Sequence, residues 1–238
     1  MSTLGIIGSG SIGTAIARLA VAAGIPVVLA NSRGPESLAD LVSELGPPAS
    51  AGTREQAAQA GELVVLSVPL TAIEAIPAEI LRGRTVLDTT NYYPFRDGRV
   101  AELDAGTVTT SELVQRHLAG AHLVKAFNNI LAHHIPQLAR PADTPERAAL
   151  PIAGDDEGAK KAAAALIDRL GFDTVDAGPL SESWRFEPEA AAYTRMYLAD
   201  PATPDDRILQ APGAPVPAAQ VRAALARAER VRVADRTF

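Results

Sequence analysis

The sequence contains no cysteine. A chain without cysteine has no disulfide, no thiolate nucleophile and no thiolate metal ligand. This absence agrees with a reducing compartment, and we expect a cytoplasmic protein. The H-E-x-x-H pattern of zinc proteases is also missing, so no metal site is predicted.

Clustered basic charge and long apolar runs are scarce as well. The 22 Lys and Arg residues are outnumbered by 28 Asp and Glu residues, which gives a net charge of −6, and no basic run occurs. Nucleic acid and anionic membrane surfaces are therefore disfavoured as partners. No stretch approaches the roughly 18 apolar residues of a membrane span, and the N-terminus lacks the basic start of a signal peptide.

What is present is the composition of a globular protein. Hydrophobic residues make up 47% of the 238 residues and charged residues 21%. This length is sufficient for a sizeable core and fits one large domain or two small ones.

The most informative stretch is the first one. Leu4 to Ile7 form an apolar run that leads into a G-x-G-x-x-G motif, and helical spacing of apolar residues follows it. A buried strand, a glycine turn and a helix start in this order are the context that a dinucleotide-binding motif requires. Gly8 is predicted to permit the tight turn, Gly10 to let the backbone approach a pyrophosphate, and Gly13 to let helix and strand pack closely. The predicted cofactor-binding residues of this motif are Gly8, Ser9, Gly10, Ser11, Ile12 and Gly13, with the phosphates at the helix N-terminus.

Strands and helices alternate along most of the chain. This alternation predicts an α/β fold, a Rossmann-like, doubly wound and mostly parallel sheet, over residues 1–178. Residues 179–238 are predicted to form a small C-terminal helical extension. The predicted helices include residues 71–81, bent at Pro77, a segment through His133, His134 and Leu138, residues 181–198, and residues 217–231.

The C-terminal part carries two further predictions. Residues 200–217 are rich in proline and are expected to be an extended connector. The amphipathic helix after them is predicted to dock on another subunit or over the active site.

The end of the predicted second strand indicates which dinucleotide binds. NAD-preferring sites usually carry Asp or Glu there, whereas this chain has Asn31, Ser32 and Arg33. The planar guanidinium of Arg33 suits a 2′-phosphate, so NADP(H) is the predicted cofactor. Two alternatives remain, a solvated Arg33 and a ribose contact from Glu36, and the second would favour NAD.

Other strand ends supply further candidates, because ligands bind beyond the strand C-termini in such sheets. Ser67, Val68 and Pro69 are predicted to flank the nicotinamide and its ribose. Thr90 and Asn91 are predicted cofactor contacts at the next strand end.

The acceptor side is predicted to involve two tentative catalytic residues. Lys125 ends an apolar strand, where it would protonate a substrate, hold an anion, or extend its ammonium to solvent. Asn128 offers donor and acceptor groups to a flat ring or serves turn formation. His133 would line the pocket or lie on the surface.

Two tyrosines follow the strand that ends near Asp88. Tyr92 and Tyr93 would either cover a flat acceptor or pack their own loop.

Several motifs together resemble the NADPH-dependent F420 reductase family, the F420-dependent NADP oxidoreductases. They are the glycine motif, residues 31–33, Val124 to Asn128, Pro151 to Asp156, and Asp176 to Ser181. The resemblance implies a Rossmann-like domain, NADP(H), a homo-oligomer, and direct hydride transfer between nicotinamide C4 and deazaflavin C5. The chain departs from archaeal members at Asn128, where they carry histidine, and by about forty additional C-terminal residues.

The predicted function is that of an NADP(H)-dependent oxidoreductase which transfers a hydride between NADPH and a second acceptor, coenzyme F420 or a flavin-like cofactor. One alternative is an imine or ketone reductase with Lys125 or His133 as proton donor. Another is a non-catalytic NADPH-binding protein. The expected partners are a small-molecule redox substrate and a second copy in a homodimer.

Overall fold

The computed structural model describes residues 3–233. Residues 1–2 of the predicted Rossmann-like segment and residues 234–238 of the predicted C-terminal extension lie outside the described residues. In this range eight strands form one sheet in the order β3-β2-β1-β4-β5-β6-β7-β8. The strands are β1 Leu4–Ile7, β2 Val27–Ala30, β3 Ala49–Ala51, β4 Leu63–Leu66, β5 Thr85–Asp88, β6 His122–Lys125, β7 Ala149–Gly154 and β8 Asp173–Asp176.

The first six strands are parallel and have the order of a Rossmann fold. Strand β7 pairs antiparallel with β6, and β8 then pairs parallel with β7. The fold class is thereby confirmed, including the qualification that the sheet is only mostly parallel. The C-terminal ends of β1 to β6 meet at one edge.

Helices cover both faces of the sheet, and each face has its own hydrophobic cluster. The helices are α1 Ser11–Ala22, α2 Ala39–Leu45, α3 Arg54–Gln59, α4 Pro94–Asp97, α5 Ala101–Asp104, α6 Thr110–His117, α7 His134–Leu138, α8 Glu157–Arg169 and α9 Ala218–Ala226. Single 3₁₀ turns supplement them.

Three predicted helices are wrong in type or length. Residues 71–81 form two 3₁₀ turns, Leu70–Ala75 and Ala78–Leu81, because Pro77 lacks the N–H that a continuous helix needs. The segment through His133 is helical only from His134 to Leu138. Residues 181–198 contain two separate 3₁₀ turns, Leu180–Phe186 and Thr194–Tyr197, with Pro188 between them.

The C-terminal helix α9 forms close to its predicted position, but it packs on its own chain. It contacts β7 and β8 and buries Val221 and Ala224 completely in the main core cluster. Helix α9 thus lies over β7 and β8, which are at the far edge of the sheet from the glycine loop, and it does not cover that loop.

Within residues 3–233 no helix is long and apolar enough to cross a membrane. In the same range no cluster of three or more His, Asp or Glu side chains has an arrangement that would hold a metal ion.

Candidate functional site

A groove lies at the C-terminal ends of β1, β2 and β4, and its volume is about 290 Å³. Most of the predicted cofactor residues meet there. Its lining comprises Ile7, Gly8, Ser9, Gly10, Asn31, Ser32, Arg33, Arg54, Ser67, Val68, Pro69, Ala72, Ala75 and Ile76. Ser11, Ile12 and Gly13 begin helix α1 directly behind it.

The three glycines of the motif occupy different environments. A Cβ at Gly8, whose φ is +111°, would lie 1.9 Å from the Ser67 carbonyl oxygen. A Cβ at Gly13 would lie 2.0 Å from the Gly8 carbonyl oxygen, so these two positions require glycine for packing. Gly10 is different, because a Cβ added there would have no heavy atom within 4 Å. Open space above an exposed backbone at a helix N-terminus fits a dinucleotide pyrophosphate.

The Asn31 side chain connects the glycine loop to the end of β2. Its Nδ2 donates to Ser9 Oγ at 3.1 Å and to Ser37 Oγ at 2.9 Å, and its Oδ1 accepts from the Arg33 backbone N–H at 2.9 Å. These bonds fix the turn that carries Ser32 and Arg33. Asn31 therefore acts by positioning its neighbours.

Two arginines line the same groove. The exposed Arg33 has no carboxylate partner in the described part of the chain, whereas Glu36 is absent from the lining. Arg54 stands at the first turn of α3, and its Nη1 donates to the Ala75 carbonyl oxygen at 2.5 Å. Arg54 was not predicted from the sequence, because only the sheet order brings the β3 end beside the β2 end.

Thr90 and Asn91 were predicted to contact the cofactor, but they lie behind the groove. Both are buried. The Thr90 backbone N–H donates to Asp88 Oδ1 at 3.0 Å, and Asn91 Nδ2 donates to the Asn128 carbonyl oxygen at 2.7 Å. The structure thus places them as supports of the β5 end.

Asn128 belongs to the same network. Its Nδ2 donates to Asn91 Oδ1 at 3.1 Å and to the Phe186 carbonyl oxygen at 2.8 Å. The preceding residue, Phe127, has a φ of +58° and is completely buried. A non-glycine residue in this conformation is strained, and the packing around it holds it there. Asn128 ties this strained strand end to the C-terminal segment.

Lys125 is completely buried on the opposite side of the sheet from α1. Its Nζ donates to the Thr90 carbonyl oxygen at 2.8 Å and to Ser111 Oγ at 3.0 Å, and lies 3.5 Å from Glu187 Oε1. Ser111 Oγ in turn donates to Asp88 Oδ2 at 2.5 Å. An ammonium enclosed by these partners neutralises buried carboxylates, and it lines neither the groove nor a neighbouring cavity.

Two other candidates, Tyr92 and His133, make hydrogen bonds to other parts of the protein. The Tyr92 hydroxyl contacts Asp104 Oδ1 at 2.9 Å and the Gly98 carbonyl oxygen at 3.0 Å, so this tyrosine packs its own loop. His133 and His134 both direct Nε2 at the Ala211 carbonyl oxygen, at 2.8 and 2.9 Å. Burial lowers the pKa of His134.

A second cavity, of about 470 Å³, lies beyond the end of β5. It was not predicted, since one wall comes from residues of the C-terminal segment that are distant in sequence. Its lining comprises Tyr93, Phe95, Leu131, Glu189, Ala190, Tyr193, Thr194, Arg195, Asp205, Ile208 and Leu209. The hydroxyl oxygens of Tyr93 and Tyr193 are 2.6 Å apart.

Comparison with known proteins agrees with this geometry. Residues 3–92 match the family model for coenzyme F420-dependent NADP oxidoreductases. The crystal structure of hypothetical protein SMa0349 from Sinorhizobium meliloti is 33% identical to this chain, with a TM-score of 0.70 over 80% of this chain and 92% of that one. The chain belongs to the coenzyme F420-dependent NADP oxidoreductase family.

Two more distant structures show the same fold. A proposed F420-dependent NADP-reductase from Arthrobacter sp. FB24 is 24% identical over 77% of this chain and 87% of that one, with a TM-score of 0.63. An imine reductase from Streptomyces aurantiacus is 21% identical over 75% and 56%, with a TM-score of 0.52. No curated protein matches the sequence. The predicted family is thus confirmed, and the cofactor type of this family is NADP(H).

Proposed function

We propose that this protein transfers a hydride between NADP(H), bound in the glycine-loop groove, and a small organic acceptor beyond the ends of β5 and β6. The observation that carries this proposal is the open backbone at Gly10 with Arg33 beside it and no carboxylate in the groove lining. When bound, NADPH supplies the hydride. The protein binds the cofactor, orients it and excludes water.

Different residues of the groove would bind different parts of the cofactor. Gly8, Ser9 and Gly10 with the N-terminus of α1 would hold the pyrophosphate. Ser32, Arg33 and Arg54 would bind the 2′-phosphate, since all three line the groove and supply donors and two positive charges. Ser67, Val68 and Pro69 would shape the path towards the nicotinamide.

Two acceptor classes follow from the family and from the fold. Coenzyme F420 or a flavin would receive the hydride on a flat ring, without a protein acid. A carbonyl or imine substrate would need a proton donor. Lys125 has no open path to such a substrate, because it is completely buried and its ammonium is occupied by internal partners.

Cofactor binding tests the proposal directly. NADPH and NADH dissociation constants should be measured by calorimetry for the unmodified protein and for Arg33→Ala, Arg54→Ala and the double variant. We expect NADPH to bind more tightly than NADH, and each single substitution to weaken NADPH by about 5- to 30-fold, since each removes a charged hydrogen bond. NADH should change little.

Arg82→Ala is a suitable control, because Arg82 lies outside the groove lining. Equal affinity for the two cofactors would contradict the NADP(H) assignment. NADPH oxidation should then be followed with F420, with flavin mononucleotide and with ketones and imines, and a complete lack of turnover would favour a non-catalytic binding protein.

A further inference from the structure

We propose that the second cavity binds an uncharged, largely apolar substrate with a C=O or C=N group, and that Tyr93 donates the proton when this group is reduced. This inference rests on the proposed NADP(H)-dependent hydride transfer. It names the acceptor class and the proton source.

The cavity has the composition of a small-molecule site. Tyr93, Phe95, Leu131, Ile208 and Leu209 give it a mostly apolar wall. The large hydrophobic side chains that stand out as exposed in the described residues are Phe95, at 69%, and Leu209, at 75%, and both border this cavity. Their exposure at one opening is the pattern expected where an apolar ligand completes the burial.

The charges on the wall favour an uncharged ligand. Arg195 is paired with Asp205, and its Nη1 also donates to the carbonyl oxygens of Pro201 and Thr203 at 2.9 and 2.8 Å. The remaining ionisable carboxyl of the lining is that of Glu189. A ligand with several negative charges would therefore meet carboxylates and one neutralised arginine.

Polar recognition is concentrated at the tyrosine pair. With a separation of 2.6 Å, one hydroxyl donates to the other. When Tyr193 donates to Tyr93, the Tyr93 hydrogen is directed to a substrate oxygen or nitrogen. Asn91 Nδ2 lies 3.4 Å from Tyr93 Oη and 3.5 Å from Tyr193 Oη, and thereby connects the pair to the end of β5.

The location of the second cavity relative to the cofactor groove also supports the proposal. Val68 and Pro69, which follow β4, line the cofactor groove, and Tyr93 follows β5, which is the next strand in the sheet. In a sheet of this order the nicotinamide end of a dinucleotide points from β1 towards β4 and β5. Glu189, on the cavity wall, has a φ of +70°, and such strain is common at binding sites.

The chemical step balances with the groups named. The carbonyl or imine carbon accepts a hydride from NADPH and forms a C–H bond, while the π electron pair moves to the oxygen or nitrogen. That atom takes the Tyr93 proton and forms an O–H or N–H bond. Tyr93 regains a proton from water through Tyr193, and the products are NADP⁺ and an alcohol or amine.

Three bicyclic probes test the proposal without turnover. They are 1-tetralone, which carries C=O, 3,4-dihydroisoquinoline, which carries C=N, and tetralin, which carries neither. Their dissociation constants for the NADPH-free protein should be measured by ligand-observed NMR. We expect the ketone or the imine to bind about tenfold more tightly than tetralin, because the partly buried hydroxyl pair favours an acceptor atom.

Substitutions distinguish the contribution of the tyrosine hydroxyls from that of the apolar wall. Tyr93→Phe and Tyr193→Phe should remove the preference over tetralin and leave tetralin binding unchanged. Phe95→Ser and Leu209→Ser should weaken all three probes about five- to tenfold. Tyr92→Phe is the matched control, since its hydroxyl contacts Asp104 outside the cavity, and it should bind the probes as the unmodified protein does.

Turnover adds a further measurement. Tyr93→Phe should lower NADPH-dependent reduction of the bound probe by about 100-fold or more, as expected for loss of a general acid. NADPH affinity of the same variant should stay unchanged, which keeps this inference separate from the proposed function.

Several results would overturn the inference. They are absence of binding of both polar probes, binding of both the ketone and the imine that is no tighter than binding of tetralin, or unchanged turnover in Tyr93→Phe. A fall in mass by light scattering for Phe95→Ser or Leu209→Ser, with probe binding unaffected, would show that a second copy covers the cavity. If NADPH also failed to bind, the proposed function would fail as well.

Discussion

At the scale of single residues, the glycines of the nucleotide loop show that one motif serves two purposes. Gly8 and Gly13 allow backbone atoms of the protein to approach one another, whereas Gly10 leaves its space to a ligand. All three were predicted from the sequence as cofactor residues. The motif already assigns these separate functions to the three glycines, and the structure agrees, because backbone atoms block the Cβ positions at Gly8 and Gly13 while the Cβ position at Gly10 is open.

This difference predicts opposite outcomes for two alanine substitutions. Gly10→Ala should keep its stability within about 1 kcal/mol, because the residue has an extended conformation that alanine adopts, but should weaken NADPH binding about tenfold or more. Gly13→Ala should lower the free energy of unfolding by about 1–3 kcal/mol or more, because its methyl group meets the Gly8 carbonyl. Urea unfolding and calorimetric NADPH titration measure the two effects. A stable Gly13→Ala protein with normal NADPH affinity would contradict this interpretation.

Lys125 carries a second prediction at this scale. Lys125→Met should lower the free energy of unfolding by about 3–5 kcal/mol, because it leaves the buried Glu187 without its cation. Adding Glu187→Gln to Lys125→Met should restore part of the loss. Urea unfolding of both single variants and the double variant measures the coupling. Strictly additive losses would show that the two residues do not act as a pair.

At the scale of elements, strands were predicted better than helices. The strand predicted at Leu4 to Ile7 and the strand ends predicted beside Asn31, Ser67, Asp88 and Lys125 form close to those positions, because apolar runs between turn residues are local signals. The helices at 71–81 and 181–198 failed, because proline and competing tertiary contacts replaced them with 3₁₀ turns. Short segments of this kind depend on what they pack against, and the sequence of the segment alone does not reveal it.

Helix α7 provides a pH prediction. His134 is buried beneath residues 211–213, and its Nε2 donates to the Ala211 carbonyl oxygen while its Nδ1 has no partner. Burial lowers its pKa below the unfolded value of about 6.5, so the unfolded chain binds a proton that the folded protein does not. His134 therefore stabilises the fold fully above pH about 6.5, and this contribution is lost as the pH falls below that value.

The measurement is urea unfolding at pH 7.5 and at pH 5.5. The decrease in stability between these values should be smaller in His134→Gln than in the unmodified protein. His117→Gln, on helix α6, is a control that keeps His134 in place. An identical decrease in His134→Gln would show that other groups account for the pH dependence.

At the scale of the whole molecule, the C-terminal segment is part of the main core. Tyr197 Oη donates to the Ala149 carbonyl oxygen at 2.8 Å, and the Ala149 N–H donates to the Val216 carbonyl oxygen at 2.8 Å. Helix α9 then covers β7 and β8 with Val221 and Ala224. Residues of the C-terminal segment therefore stabilise this sheet edge and form one wall of the second cavity.

Truncation after residue 199 should consequently unfold or strongly destabilise the protein, because it exposes the apolar surface that α9 and Val216 bury. Thermal unfolding followed by circular dichroism tests this expectation. Removing only residues 234–238 is the matched control. Light scattering of the full chain and of the control also tests the predicted homodimer, and a monomeric full chain would contradict it.

The sequence by itself determined the nucleotide half of the protein. The strand, the glycine turn and the basic residue after β2 are adjacent in sequence, and local chemistry is sufficient to recognise them. The acceptor half depended on tertiary structure. Tyr93 and Tyr193 meet only because the C-terminal segment brings them together, and Arg54 likewise joins the nucleotide groove only because of the sheet order. Lys125 shows the same limit. Its place at the end of an apolar strand fitted a catalytic residue, and only its burial among Ser111, Glu187 and the Thr90 carbonyl placed it in the core.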